Sequence, residues 1–222
     1  MTAPRILLIN PNSSQATTDM MVAIARSAAS DRLDILGATA KRAPAMIVTP
    51  EALDAAAAEV VEIAQARKQT CDGVIVAAFG DPGLAEVRAA VALPAAGIGE
   101  SSMLEAAQGG RRFGVATTTP LLGPKIDQLP DGLGLRSLWT GACFADGDPL
   151  ELARDPARQR AALADTIRTC VAQDGAEAVI IGGGPLAQAA RELQPMFEVP
   201  IIAPVPSAVA RIIRMMEAGS AR

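Results

Sequence analysis

Short apolar runs that end in polar or small-residue loops recur along this chain, and each leads into a stretch with helical character. Ile6 to Ile9 is closed by Asn10-Pro11-Asn12-Ser13-Ser14. An unbroken apolar run of this length reads as a strand buried on both faces. Ser13 or Ser14 then offers a cap for a helix reaching about Ala28. Leu33 to Ala38 predicts a second strand. Pro50-Glu51 opens a helix to about Lys68, with proline suited to the first turn and the acid to the helix dipole. Gly73 to Ala78 is a third strand, followed by the turn Phe79-Gly80-Asp81-Pro82-Gly83 and a helix over Leu84 to Ala90. Pro94 to Ile98 is a fourth strand, and Glu100-Ser101-Ser102 leads into a helix that stops near Gly109-Gly110.

The second half runs in the same order. Phe113 to Ala116 predicts a strand, Leu121 to Leu129 a helix, Leu135 to Trp139 a strand and Arg158 to Gln173 a long helix. Val179 to Ile181 is a strand ending in Gly182-Gly183-Gly184-Pro185. Leu186 to Leu193, Ile201-Ile202 and Pro206 to Ala218 complete the series as helix, strand and helix. Alternation of this kind argues for parallel α/β sheets. Three stretches of the two halves match at nearly one offset. Asn10 and Thr117 end equivalent runs (117 − 10 = 107), as do Ala78 and Gly183 (183 − 78 = 105), and Leu93-Pro94 recurs as Val199-Pro200 (200 − 94 = 106). A repeated unit implies two pseudo-symmetric α/β lobes facing each other across a cleft. We expect the first lobe to hold residues 1–98 and 206–222, and the second 99–205.

Composition narrows the function. Of 222 residues, 50% are hydrophobic and 20% charged, enough for sizeable cores. Aromatics are only 2%, so those cores are built of Ala, Val, Leu and Ile. The net charge of −4 comes with no lysine or arginine cluster, which argues against a nucleic-acid partner. No run of about 18 apolar residues exists, so no membrane partner is expected. The first strand-like run begins too early for a signal peptide, and three cysteines suit a reduced compartment. We therefore expect a cytoplasmic protein, homo-oligomeric, with a small-molecule substrate. Histidine is absent, which removes the commonest zinc ligand and the Ser-His and Cys-His pairings together. With no paired cysteines in the sequence either, no metal is expected.

In parallel α/β sheets, ligands bind beyond the carboxyl ends of the strands. The loops there carry the candidates Asn10, Ser14, Thr117 and Thr118, whose amides and hydroxyls precede helix N-termini that favour a carboxylate or polarised carbonyl. Ala78, Phe79, Gly80, Gly183, Gly184 and Pro185 form the other two strand ends, where small residues let a ligand approach the backbone. Asp81 and Glu100 are the carboxylates placed to do acid–base work, although Asp before Pro also suits a turn and Glu100 also suits a helix cap. Cys71, Cys143 and Cys170 read as structural: Cys71 precedes its strand, Cys143 sits in a loop and Cys170 lies inside a helix.

Ile9-Asn10-Pro11-Asn12-Ser13-Ser14, Ala78-Phe79-Gly80-Asp81-Pro82-Gly83-Leu84 and Arg112-Phe113-Gly114-Val115 with Thr117-Thr118-Thr119 resemble the hydantoin racemase family of the aspartate/glutamate racemase superfamily. The resemblance covers nearly the whole chain. It implies two Rossmann-like lobes enclosing the substrate, no metal or organic cofactor, and one cysteine from each lobe moving the α-proton on opposite faces. Those two cysteines fall on Ala78 and Gly183 in this sequence. Neither can transfer a proton, whereas a thiolate is basic enough and weakly hydrated. The expected activity is thus cofactor-independent and racemase-like, on a small cyclic amide, ureide or related carboxylate, by a route without thiols. Hydrolysis or elimination on a hydantoin-like ring, and ligand binding without turnover, are the competing readings.

Overall fold

The computed structural model describes residues 3–220. Its strands fall where chain-buried apolar runs demand them. β1 (Arg5–Asn10), β2 (Asp34–Thr39), β3 (Gly73–Val76) and β4 (Ala95–Gly97) form one parallel sheet in the order β2-β1-β3-β4. β5 (Phe113–Thr117), β6 (Trp139–Phe144), β7 (Ala178–Gly182) and β8 (Ile201–Ile202) form a second parallel sheet in the equivalent order β6-β5-β7-β8. The inner strands are apolar because helices cover both faces, so Ile6 to Ile9, Val74 to Val76 and Val179 to Ile181 are all fully buried. This is the α/β class that the sequence pattern predicts, with two parallel sheets of equivalent strand order.

Local chemistry sets the helix starts. Ser14 caps α1 (Gln15–Ala29) by accepting from Thr17 N–H, and Thr49 caps α2 (Pro50–Arg67) by accepting from Ala52 N–H. α3 spans Leu84–Ala90, α4 Ile98–Ala106 and α5 Gly123–Gly132. The short α6 (Pro149–Leu152) and the long α7 (Pro156–Ala172) are capped by Asp148 and Asp155. α8 is Ala187–Leu193 and α9 Pro204–Ser220.

On one face of the first sheet, Ile6, Leu8 and Ile75 pack with Met21 and Ala25 of α1 and with Val205, Ala208, Val209 and Ile212 at the far end of the chain. α9 thus lies against α1 and α4 rather than with the strand that precedes it. On the other side of α4, Met103 and Ala106 pack with Phe113, Val115, Ile180 and Ile202 of the second sheet. α4 therefore bridges the two sheets.

One expected strand is misplaced. Arg136–Leu138 is a single tight helical turn, and the edge strand β6 follows it. The apolar residues Leu133, Leu135 and Leu138 pack laterally on the Phe113 cluster instead of entering the sheet. Cys143, expected in a loop, accordingly sits in β6 opposite Ala116. Glu100, expected ahead of its helix, lies in the first turn of α4.

Candidate active site

The carboxyl ends of β1, β3, β5 and β7 open on one cavity of about 500 Å³ between the two sheets. Its floor is Ala77-Ala78-Phe79 from the first sheet and Gly182-Gly183-Gly184 from the second, with Thr118 and Thr119 beside them. Gly183 has φ of +151°, a conformation L side chains rarely adopt, and a Cβ there would meet Leu186 Cδ1 at 3.2 Å. The loop beyond β2 closes one side with Ala45, Met46 and Ile47. α7 and α8 form the opposite wall with Gln159, Arg160, Gln188 and Glu192.

Several expected site residues hold this floor in shape without lining it. Asn10 is buried, and its side-chain amide donates to Asn12 Oδ1 at 2.8 Å and to the Thr18 hydroxyl at 3.0 Å. Asn12 and Thr17, one shell further out, are the residues that reach the cavity. Ser14 is occupied as the α1 cap, accepting from both the amide and the hydroxyl of Thr17. The Thr117 hydroxyl donates to the Gly182 carbonyl at 2.6 Å and ties the ends of β5 and β7 together. Thr118 does line the cavity. Its side chain makes no hydrogen bond among the described residues, so its hydroxyl is available to a ligand.

Asp81 and Glu100 are placed elsewhere. Asp81 adopts φ of +50° at the turn after β3. Its carboxylate faces away from the cavity and accepts from the N–H groups of Gly99 and Glu100, at 2.8 and 2.6 Å, at the start of α4. Gly97 is required for this approach, since a Cβ there would lie 2.2 Å from Asp81 Cγ. Burial pushes Asp81 up to about 7, against the pull of those two amide donors. Glu100 is buried and accepts from Arg88 Nη2 at 2.5 Å and Arg211 Nε at 3.2 Å. With Gly80, both line a separate open groove beside α3 and α5. Their carboxylates are committed to holding α3, α4 and α9 together.

Arg160 and Glu192 were not singled out by the sequence, yet they are the ionisable groups of the cavity wall. They pair at 2.7 Å, and Gln188 donates to the other Glu192 oxygen at 2.9 Å. The Gln188 hydrogen bond, and then the Arg160 charge, hold Glu192 below the usual carboxylate range, so it is ionised at neutral pH. None of the three cysteines lines the cavity. Two of them do meet: Cys143 and Cys170, 27 residues apart in sequence, lie on facing elements with Asp174. All three thiols are free, and no sequence spacing announces the proximity of these two.

Two parallel α/β sheets of equivalent order, with a small-molecule cavity between their strand ends, define an enzyme of the racemase superfamily. A sequence model of the Asp/Glu/Hydantoin racemase family matches residues 6–212, and the chain belongs to that family. It is 31% identical to a hydantoin racemase of Rhizobium meliloti over 218 residues, covering 97% of this chain and 90% of that one. Among solved structures it is similar to an allantoin racemase from Klebsiella pneumoniae, with TM-score 0.91 and 29% identity over 98% of this chain and 89% of that one. An allantoin racemase from Pseudomonas fluorescens superposes with TM-score 0.92 at 25% identity, over 97% and 92% of the two chains. No helix among the described residues is long and apolar enough to cross a membrane.

Proposed function

We propose that this protein acts, without a cofactor, on a small cyclic amide, ureide or related carboxylate held in the cleft, by proton transfer that uses no thiol. The cleft lies between a lobe of residues 1–98 with 206–222 and a lobe of residues 99–205; positions 1, 2, 221 and 222 fall outside the described residues. The observation that carries the reading is the composition of the cavity lining. Ala78 and Gly183 stand at the paired strand ends, and the ionisable groups of the lining are Arg160 and Glu192.

Glu192 is the base in this reading. It is ionised at neutral pH, exposed to the cavity and held by neighbours that tolerate a change of partner. Arg160 and the free Thr118 hydroxyl stabilise the oxygen on which negative charge develops when the α-proton leaves. Apolar Met46, Ile47, Leu53 and Phe79 receive the body of the substrate. A single carboxylate serves one face of the stereocentre, so the second proton comes from solvent. Deuterium exchange at the α-carbon should then run ahead of inversion.

The test is a panel of enantiopure hydantoins and ureides incubated with the protein in heavy water and followed by NMR and optical rotation. Exchange faster than inversion supports the reading. Ring opening would replace it with hydrolysis, and saturable binding without exchange would replace it with a ligand-binding role.

A further inference from the structure

We propose that Cys143, Cys170 and Asp174 form a binding site for one thiophilic divalent cation such as zinc, remote from the cleft. Three different positions supply the ligands. Cys143 lies on the edge strand β6, Cys170 is on the α7 face that covers the sheet, and Asp174 stands two residues beyond the end of α7. Their ligand atoms all lie within 4.8 Å of one another. The Cys143 thiol is 3.0 Å from Asp174 Oδ2, to which it donates, and Cys170 packs over β5 with its thiol directed to the Val115 carbonyl.

Zinc–sulfur bonds of about 2.3 Å and zinc–oxygen bonds of about 2.0–2.2 Å in a tetrahedral site separate neighbouring ligand atoms by roughly 3.5–3.8 Å. The cluster's ligand atoms, with Cys143 Sγ 3.0 Å from Asp174 Oδ2 and none more than 4.8 Å from another, bracket this spacing before any metal arrives. Burial is graded in a useful way: Cys170 is buried, Cys143 is half-buried and Asp174 is exposed. The ion enters from the Asp174 side, and water completes the fourth position.

The charge balance is simple. Without metal the Cys143 thiol keeps its proton and donates it to Asp174. A divalent cation displaces both thiol protons and binds two thiolates and one carboxylate, releasing two protons per ion. The thiols change no oxidation state. The product is a clamp between the edge strand and the helix. Arg160 of the cleft wall is on the same helix as Cys170 but ten residues away, about 15 Å at 1.5 Å per residue. The ion is thus structural and takes no part in turnover.

The test uses the intact protein, reduced and chelator-treated, titrated with cadmium as a spectroscopic probe and then with zinc in competition. We expect saturation at one equivalent with an ultraviolet thiolate-to-cadmium band, release of two protons per ion, and a higher Tm. Cys143→Ser should abolish the band, and Asp174→Asn should weaken affinity at least tenfold while keeping it. Because Cys170 is buried, its substitution tests folding as well as binding, so Cys143→Ser and selective alkylation of the half-buried Cys143 carry the decision. No stoichiometric binding to the reduced protein would overturn the site, as would a thiolate band that survives in Cys143→Ser.

Discussion

Two carboxylate–arginine clusters use the same residue types to opposite ends. At the first, Glu100 is buried between Arg88 and Arg211, with Asp81 on the backbone amides of the same helix turn. At the second, Glu192 is exposed between Arg160 and Gln188 on the wall of the cleft. The first cluster joins α3, α4 and α9 and faces a groove apart from the cleft. The second joins side chains only, so a substrate can replace either partner without unpacking an element. Availability, rather than the mere presence of an acid at a strand end, separates a chemical group from a fastening.

The sharpest way to break this comparison is Glu192→Gln. Loss of a single positioned base typically costs about 10²–10⁴-fold in rate, so α-proton exchange by this variant should fall by at least that lower bound. Its urea midpoint should barely move, because exposed pairs contribute little to stability. Retained exchange would remove Glu192 from the chemistry.

Glu100→Ala should show the reverse pattern. Breaking a buried ion pair costs about 3–5 kcal/mol, and the partial exposure of both arginines brings the expected loss nearer 2 kcal/mol, read from urea unfolding. Turnover per folded molecule should stay within tenfold of wild type. A variant as stable as the parent but inactive would return Glu100 to the catalytic list.

A third comparison sets the two strand-end positions against each other. Gly183→Cys should destabilise by about 1–3 kcal/mol, since its backbone conformation is costly for an L residue and Leu186 must shift. Ala78→Cys, whose backbone carries no positive φ, should stay within about 0.5 kcal/mol. Calorimetry on the two single variants decides it. The smallest expected effect is none at all: alkylating Cys143 in the native protein should leave exchange activity unchanged, and full inactivation would place a thiol in the mechanism.

The inner strands were legible because burial on both faces leaves long apolar runs. β6 was not. It lies at the sheet edge, and between its end residues Trp139 and Phe144 it holds only Thr140, Gly141, Ala142 and Cys143, small residues with no apolar periodicity, while the neighbouring leucines that mimic a strand pack sideways. At the site, the strand-end positions Ala78, Thr118 and Gly183, which line the cavity, were read from loop position together with the family resemblance. The α7–α8 wall could not. Gln188 and Glu192 stand four apart on a helix, a spacing shared by countless solvated surface pairs. Asp81 misled for a converse reason: its strand-end address was right, but its left-handed backbone turns the carboxylate away from the cavity.

The seating of α9 on α1 and α4 also has a consequence for synthesis. The apolar face formed by Ile6, Leu8, Met21 and Ile98 is completed by residues 205–213. A ribosome working at about 5–20 residues per second makes the 107 residues from 98 to 205 in roughly 5–20 s. Throughout that interval the emerging amino-terminal half holds an uncovered apolar face, a natural place for a chaperone to wait.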